Sequence, residues 1–215
     1  MRKISILTAI LLISCFSVVY SQTNNYTEAE LGQKCDSIIQ EGNLLYRYEK
    51  ATWLFSDMYI NKPEIMETAA TYLTYEQGDS IKCILIDKEG KCNFEVSFLE
   101  ASTPCLVRHL YRDLSDYENN LLNTRTKILK NIIENKYEVG TIKGYSLNWI
   151  LLPFEKGYKL YAINGTQKAE EVPIGNDYLF ITNKEGEIQN PGRNFIRALS
   201  PLTKENLVEY ISILT

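Results

Sequence analysis

One histidine, His109, stands in this chain, four residues after Cys105. A thiol–imidazole dyad is the chemistry such a pair would do, with the ring drawing the proton from the thiol. A spacing of four puts two side chains on one face of a helix, but on a strand it separates them by about 13 Å. The run CLVRHLYRDL (105–114) reads as a strand or extended segment, and Pro104 and Val107 oppose a helix there. No dyad is therefore expected. A Ser-His-Asp triad would need the same histidine, and no serine lies in a nucleophile-elbow context. With one histidine and no CxxC, the cysteine spacings do not suit zinc. The sequence names no cofactor, no metal ligand set and no catalytic residue.

Carboxylates are plentiful: Asp79, Asp113, Asp116, Glu170, Glu171 and Asp177. A glycosidase needs two of them facing across a cleft, and spacing alone does not show which could face. Adjacent Glu170 and Glu171 read as a solvated loop. Fifteen tyrosines is high for this length. Tyrosine and tryptophan add contact area at little entropic cost, so Trp149, Tyr158 and Tyr161 are candidate binding residues. Arg193 and Arg197, in the turn-rich NPGRNFIR (190–197), could meet an acidic partner.

The run EEVPIGNDYLFITNKEGEI (170–188) raises the question of a phosphate-binding glycine loop. Such a loop must open a helix, and here the β-rich DYLFIT follows. GND is read as a strand-entry turn, with Asp177 kept as a candidate binding residue. Asn183 to Gly186 repeats the grammar of Asp87 to Gly90, a polar residue leading and glycine at the left-handed position of a three-residue hairpin loop.

These side chains must be positioned by local elements. Thr27-Glu28-Ala29-Glu30 is a capping box. Leu31, Cys35, Ile38 and Leu45 follow at helical spacing, which predicts a helix from about 28 to the low fifties with Gly42 as a weak point. Its far end, with Tyr46, Trp53, Phe55 and Met58, is expected under a sheet. From Thr71 the period becomes two, giving three strands to Phe98 with turns at Gln77-Gly78-Asp79 and Asp87–Gly90. Pairing Asp87 with Lys91 sets Ile86 against Cys92, Ile84 against Phe94 and Lys82 against Val96. Cys83 and Cys92 then lie on opposite faces and cannot form a disulfide. Ser115 to Glu118 is a second capping box, opening a helix that ends near Lys136. SLNWILLP (146–153) and YKLYAI (158–163) are strands, Asn164-Gly165 marks a turn, and a short helix is expected from Thr203. The pattern predicts one α+β domain over residues 22–215, an antiparallel sheet of about six to eight strands with two main helices.

The chain has 215 residues, 23 basic and 27 acidic, with net charge −4. A basic face for nucleic acid is not expected. The opening MRKISILTAILLISCFSVVYSQ has Arg2 and Lys3 before an apolar run, then a small-residue pattern at Val19-Tyr20-Ser21. It reads as a cleaved secretory signal over 1–21. A second reading takes Leu12-Ile13-Ser14-Cys15 as a lipobox, with Cys15 lipidated. Both place the mature protein outside the cytoplasm, periplasmic, secreted or lipid-anchored at the outer membrane. No later segment has the length and apolarity of a membrane span. Cys35, Cys83, Cys92 and Cys105 permit two disulfides but are too sparse for a disulfide scaffold.

At SLNWILLP, YKLYAINGTQ and IGNDYLFI, and in the hairpin TYEQGDSIKCILID, the sequence resembles a group of uncharacterised exported proteins of Bacteroidetes-type bacteria. The resemblance covers about residues 45–200 and implies export without any assigned activity. It also implies a histidine after the last hairpin. NFIRALSP has none, so no function tied to that histidine carries over.

Three functions are compatible with these residues. The leading one is a non-catalytic exported protein that binds an envelope or secreted protein or glycan. The second is a hydrolase of envelope polysaccharide working through paired carboxylates. The third is an immunity-type protein that neutralises one partner protein.

Overall fold

A computed structural model describes residues 26–99, 103–141, 144–165 and 177–189, together with the backbone alone of 171–172, 193–194 and 202–203. The chain divides into two compact units, Met1–Gly42 and Asn43–Thr215. The expected leader over 1–21, Cys15 within it, Glu170, the Gly175-Asn176 pair and Arg197 lie outside the described residues.

Helix α1 spans Glu28–Tyr59. Its start has the expected capping box: Glu30 Oε2 accepts the Thr27 N–H at 2.8 Å, and Thr27 Oγ1 accepts the Glu30 N–H at 3.3 Å. In the first unit its side chains from Glu28 to Gln40 are exposed, Leu31, Cys35, Ile38 and Ile39 among them. The helix runs through Gly42 and continues beyond the low fifties. A one-turn helix α2, Pro63–Met66, follows.

Strands β1 (Ala69–Gln77), β2 (Ser80–Asp87), β3 (Cys92–Leu99) and β4 (Thr103–Arg112) form an antiparallel sheet in chain order. Helix α3 (Asp116–Glu134) separates it from β5 (Ser146–Phe154) and β6 (Gly157–Gly165). Strand β5 pairs with β6, β6 pairs with β8 (Tyr178–Thr182), and the two-residue β9 (Arg193–Asn194) extends that second sheet. The short β7 (Glu171–Val172) and β10 (Leu202–Thr203) pair with each other. Thr203 is thus extended rather than the start of a helix, and the residues after it lie outside the description.

The fold is α+β with antiparallel sheets and two main helices, but the strands do not join one sheet. Strands β1 and β5 are neighbours, yet no backbone ladder links them. The two helices cover opposite faces. Leu121, Ile128 and Ile132 of α3 pack with Leu73, Ile84, Ile86, Leu160 and Phe180. Tyr48, Ala51 and Phe55 of α1 pack with Ile81, Leu85, Phe94, Val96, Phe98 and Tyr161.

The two KEG loops are built alike. Asp87 Oδ1 accepts the Lys91 N–H and Asn183 Oδ1 accepts the Glu187 N–H, each at 2.8 Å. Gly90 and Gly186 take φ +80° and +75° as the loop type requires. The β2–β3 register starts as expected, Ile86 opposite Cys92, then slips by one. A bulge at Asn93 sets Leu85 against Phe94, Ile84 against Glu95 and Cys83 against Val96. The slip puts Phe94 with Leu85 on the α1 face and brings Glu95 to the α3 face. Cys83 and Cys92 lie in different cores, and all four described cysteines are free thiols. Asn164 and Gly165 are the last residues of β6, not a turn. Asn164 is held in the strand because its N–H donates to Asp177 Oδ1 at 2.9 Å.

Candidate functional site

His109 and Cys105 sit on β4 as extended residues. The Cys105 thiol donates to the Ser97 carbonyl at 3.3 Å. The His109 ring packs on Phe94 with centroids 4.8 Å apart, and its Nε2 lies 3.4 Å from Lys62 Nζ. They make no dyad.

The densest charge cluster centres on Arg112 at the end of β4. Its Nη1 donates to Glu118 Oε2 at 2.7 Å, and its Nη2 donates to Glu118 Oε1 and Glu95 Oε2, each at 2.8 Å. Lys82 Nζ adds a contact of 3.0 Å to Glu95, and the Tyr75 hydroxyl donates to Glu118 at 2.6 Å. Glu118 also caps α3, accepting the Ser115 N–H at 2.8 Å. Burial pushes both carboxyls up. Hydrogen bonds outweigh it, from Arg112, Tyr75 and Ser115 at Glu118 and from Arg112 and Lys82 at Glu95. Both end below the ordinary range, Glu118 at about 2. Carboxylates held this firmly ionised do not act as proton donors near neutrality. The cluster is a latch that ties α3 to the first sheet.

A second acidic pair lies on the α1 side of the second sheet. Asn148 Nδ2 donates to Glu49 Oε1 at 3.3 Å. Burial raises the Glu49 carboxyl, the Asn148 hydrogen bond opposes this, and the Asp177 charge adds to the rise. Burial raises Asp177 as well, against hydrogen bonds from Asn164. Both carboxyls are pushed the same way, whereas an acid–base pair needs surroundings that push them apart.

The other expected site residues fall in different places. Trp149 and Tyr158 are half-buried against the α3 core, and Tyr158 Oη accepts from Asn120 at 3.2 Å. Tyr161 is buried in the α1 core on the opposite face of β6. Arg193 pairs by its backbone with Leu179. Asp113 pairs with Lys91, Asp116 opens α3 in solvent, and the Asp79 carbonyl accepts from Arg47 at 3.1 Å. Trp149, Tyr158 and Tyr161 therefore do not form one surface.

Other aromatics do. Tyr46, Trp53 and Ile60 recur every seven residues and are 63%, 53% and 51% exposed. The Ile60 N–H still donates to the Ser56 carbonyl at 2.9 Å, so helical geometry reaches it. At about 100° per residue, Trp53 points about 160° away from buried Phe55. Lys50 Nζ lies 4.6 Å from the Trp53 ring centroid. The seven-residue spacing is visible in the sequence, but large aromatics stand on the outward and the packed sides of the helix alike, Trp53 on one and Phe55 on the other, which hides the outward face. Strand β4 also exposes Leu106, Val107 and Tyr111 on the first sheet's outer edge. Pro104, Arg108 and Arg112 are the residue types that blunt such an edge.

Among the described residues no cluster of three or more His, Cys, Asp or Glu side chains could hold a metal ion. No described helix is long and apolar enough to cross a membrane. Comparison of the chain with protein-family models, with curated proteins and with solved structures gives no match in any of the three.

Proposed function

We propose that this is an exported interaction protein that docks a partner protein of the envelope or extracellular space on the outer face of α1. The observation that carries the reading is the row Tyr46, Trp53 and Ile60, more than half exposed while Tyr48, Ala51 and Phe55 of the same helix stretch are buried. Single exposed apolar residues need no explanation. An aromatic pair aligned with an isoleucine on one rigid helix face supplies the anchor type that dominates protein interfaces. The leader-like opening and the resemblance to exported proteins support the location. The immunity-type reading is a special case in which the partner is one toxic protein.

The test is capture from the envelope of the producing cells with tagged wild-type protein, with Trp53→Ala and with Tyr46→Ala, analysing protein and glycan. A protein retained by wild type and lost from both variants supports the reading. Retained glycan without protein, or retention unchanged by both substitutions, overturns it.

A further inference from the structure

Four arginines are described in full, and three have carboxylate partners: Arg47 with Glu76, Arg108 with Glu95, and Arg112 with Glu95 and Glu118. The fourth, Arg125 on α3, is the most buried of them at 8% exposure. It has no carboxylate partner among the described residues. Its contacts are a hydrogen bond from Nη2 to Thr71 Oγ1 at 2.6 Å and a position over the Tyr72 ring, 5.5 Å from the centroid. Burial pulls this guanidinium below its ordinary value, yet arginine stays protonated at any pH where a protein folds. A buried cation without a counter-ion is costly. The fold tolerates that cost here while it pairs every less buried arginine described.

The location explains how a ligand could reach it. Thr71 and Tyr72 are successive residues of β1, so their side chains point to opposite faces of the sheet. A guanidinium that touches both lies at the edge of β1, the edge that neighbours β5 without a backbone ladder. The one unpaired side-chain nitrogen or oxygen sealed from solvent among the described residues is Asn93 Oδ1. Arg125 Nε and Nη1 and the Tyr72 hydroxyl have no partner among those residues, so these atoms are not fully sealed from solvent. Unbonded guanidinium N–H groups beside a tyrosine are donors suited to an oxyanion, and the charges of Arg125 and of Glu49 both act on the Tyr72 hydroxyl.

We propose that Arg125, with Tyr72, forms an oxyanion-binding site at the β1–β5 seam, taking the carboxylate or phosphate group of a small ligand. The site is independent of the α1 face. An anion there supplies the missing counter-charge and stabilises the folded state by mass action.

The experiment is thermal unfolding of the mature full chain in sodium phosphate and in sodium acetate, each against sodium chloride at matched ionic strength. Wild type should show a saturable rise in Tm, about 3–6 °C at ten times the dissociation constant. Arg125→Gln and Arg125→Met should lose the rise, and Tyr72→Phe should weaken the anion several-fold. A response to acetate alone marks a carboxylate ligand, and to phosphate alone a phosphate. As a readout that needs no variant, the Arg125 Nε–H resonance of wild type should move saturably with the same anion. No saturable rise with either anion, an unchanged rise in Arg125→Gln, or a resonance that does not move overturns the site.

Discussion

Replacing Glu118 by glutamine tests the latch between α3 and the first sheet. Glutamine is as good as glutamate at the N3 position of a capping box, so the substitution removes the charge and leaves the cap. The Glu118 carboxyl falls from its ordinary 4.5 to about 2 because Arg112, Tyr75 and the Ser115 N–H together overcome the effect of burial. At about 1.4 kcal/mol per pH unit, that gap corresponds to about 3 kcal/mol of folding stability. A depressed carboxyl contributes fully above its unfolded value and loses its contribution as pH falls through the folded one. The Glu118 contribution is therefore whole above about pH 5 and disappears between pH 4.5 and pH 2. Urea unfolding of wild type and Glu118→Gln at pH 7, 5, 4 and 3 reads this directly. The variant should be less stable by about 3 kcal/mol at pH 7, and the difference should close as pH falls. A difference that stays constant from pH 7 to pH 3, or one under about 0.5 kcal/mol throughout, would refute the reasoning.

Further outcomes follow from other parts of the molecule. Burial pushes the Cys83 thiol up to about 12 and the Cys92 thiol up to about 11. A thiol reagent at pH 8 should therefore label Cys35 and Cys105 in the native protein and reach Cys83 and Cys92 only on unfolding. Gly157 takes φ +153°, and a Cβ there would stand 2.1 Å from the Thr182 carbonyl oxygen. Gly157→Ala should cost roughly 3 kcal/mol or more in chemical denaturation. Phe55 is fully buried and stacks on Phe94 with centroids 5.5 Å apart. Phe55→Ala should cost about 3–5 kcal/mol, whereas Trp53→Ala, two residues away and outward, should stay within about 0.5 kcal/mol of wild type.

Much of the local structure was legible in the sequence because its signals are short-range. The capping boxes at Thr27 and Ser115, the period-two runs and the two KEG loops each depend on residues fewer than six apart. Long-range contacts were not legible. The Asn93 bulge changes the face of Glu95, and nothing in the run KCNFEV announces it. Asn164-Gly165 has the composition of a turn, but Asp177, 13 residues away, holds Asn164 in the strand. Ser115 to Glu118 could be read as a cap, while the second use of Glu118 needs Tyr75, 43 residues earlier. The tyrosine content raised the expectation of a binding surface and gave no place for one. Tyr158 and Tyr161 share a strand whose faces enter different cores, whereas Tyr46 and Trp53 lie outward on one helix face. Arg125 gave no signal at all, because an unpaired charge is defined by what fails to surround it.

The central claim, a partner docked on the outer face of α1, is tested most directly by site-specific photocrosslinking in the producing cells. A photoreactive phenylalanine analogue would replace Trp53, with Lys184, in the hairpin loop that lies against α3, as the control position. The account predicts one discrete protein adduct from position 53 and none from position 184. No adduct at 53, or the same adducts from both positions, would contradict it.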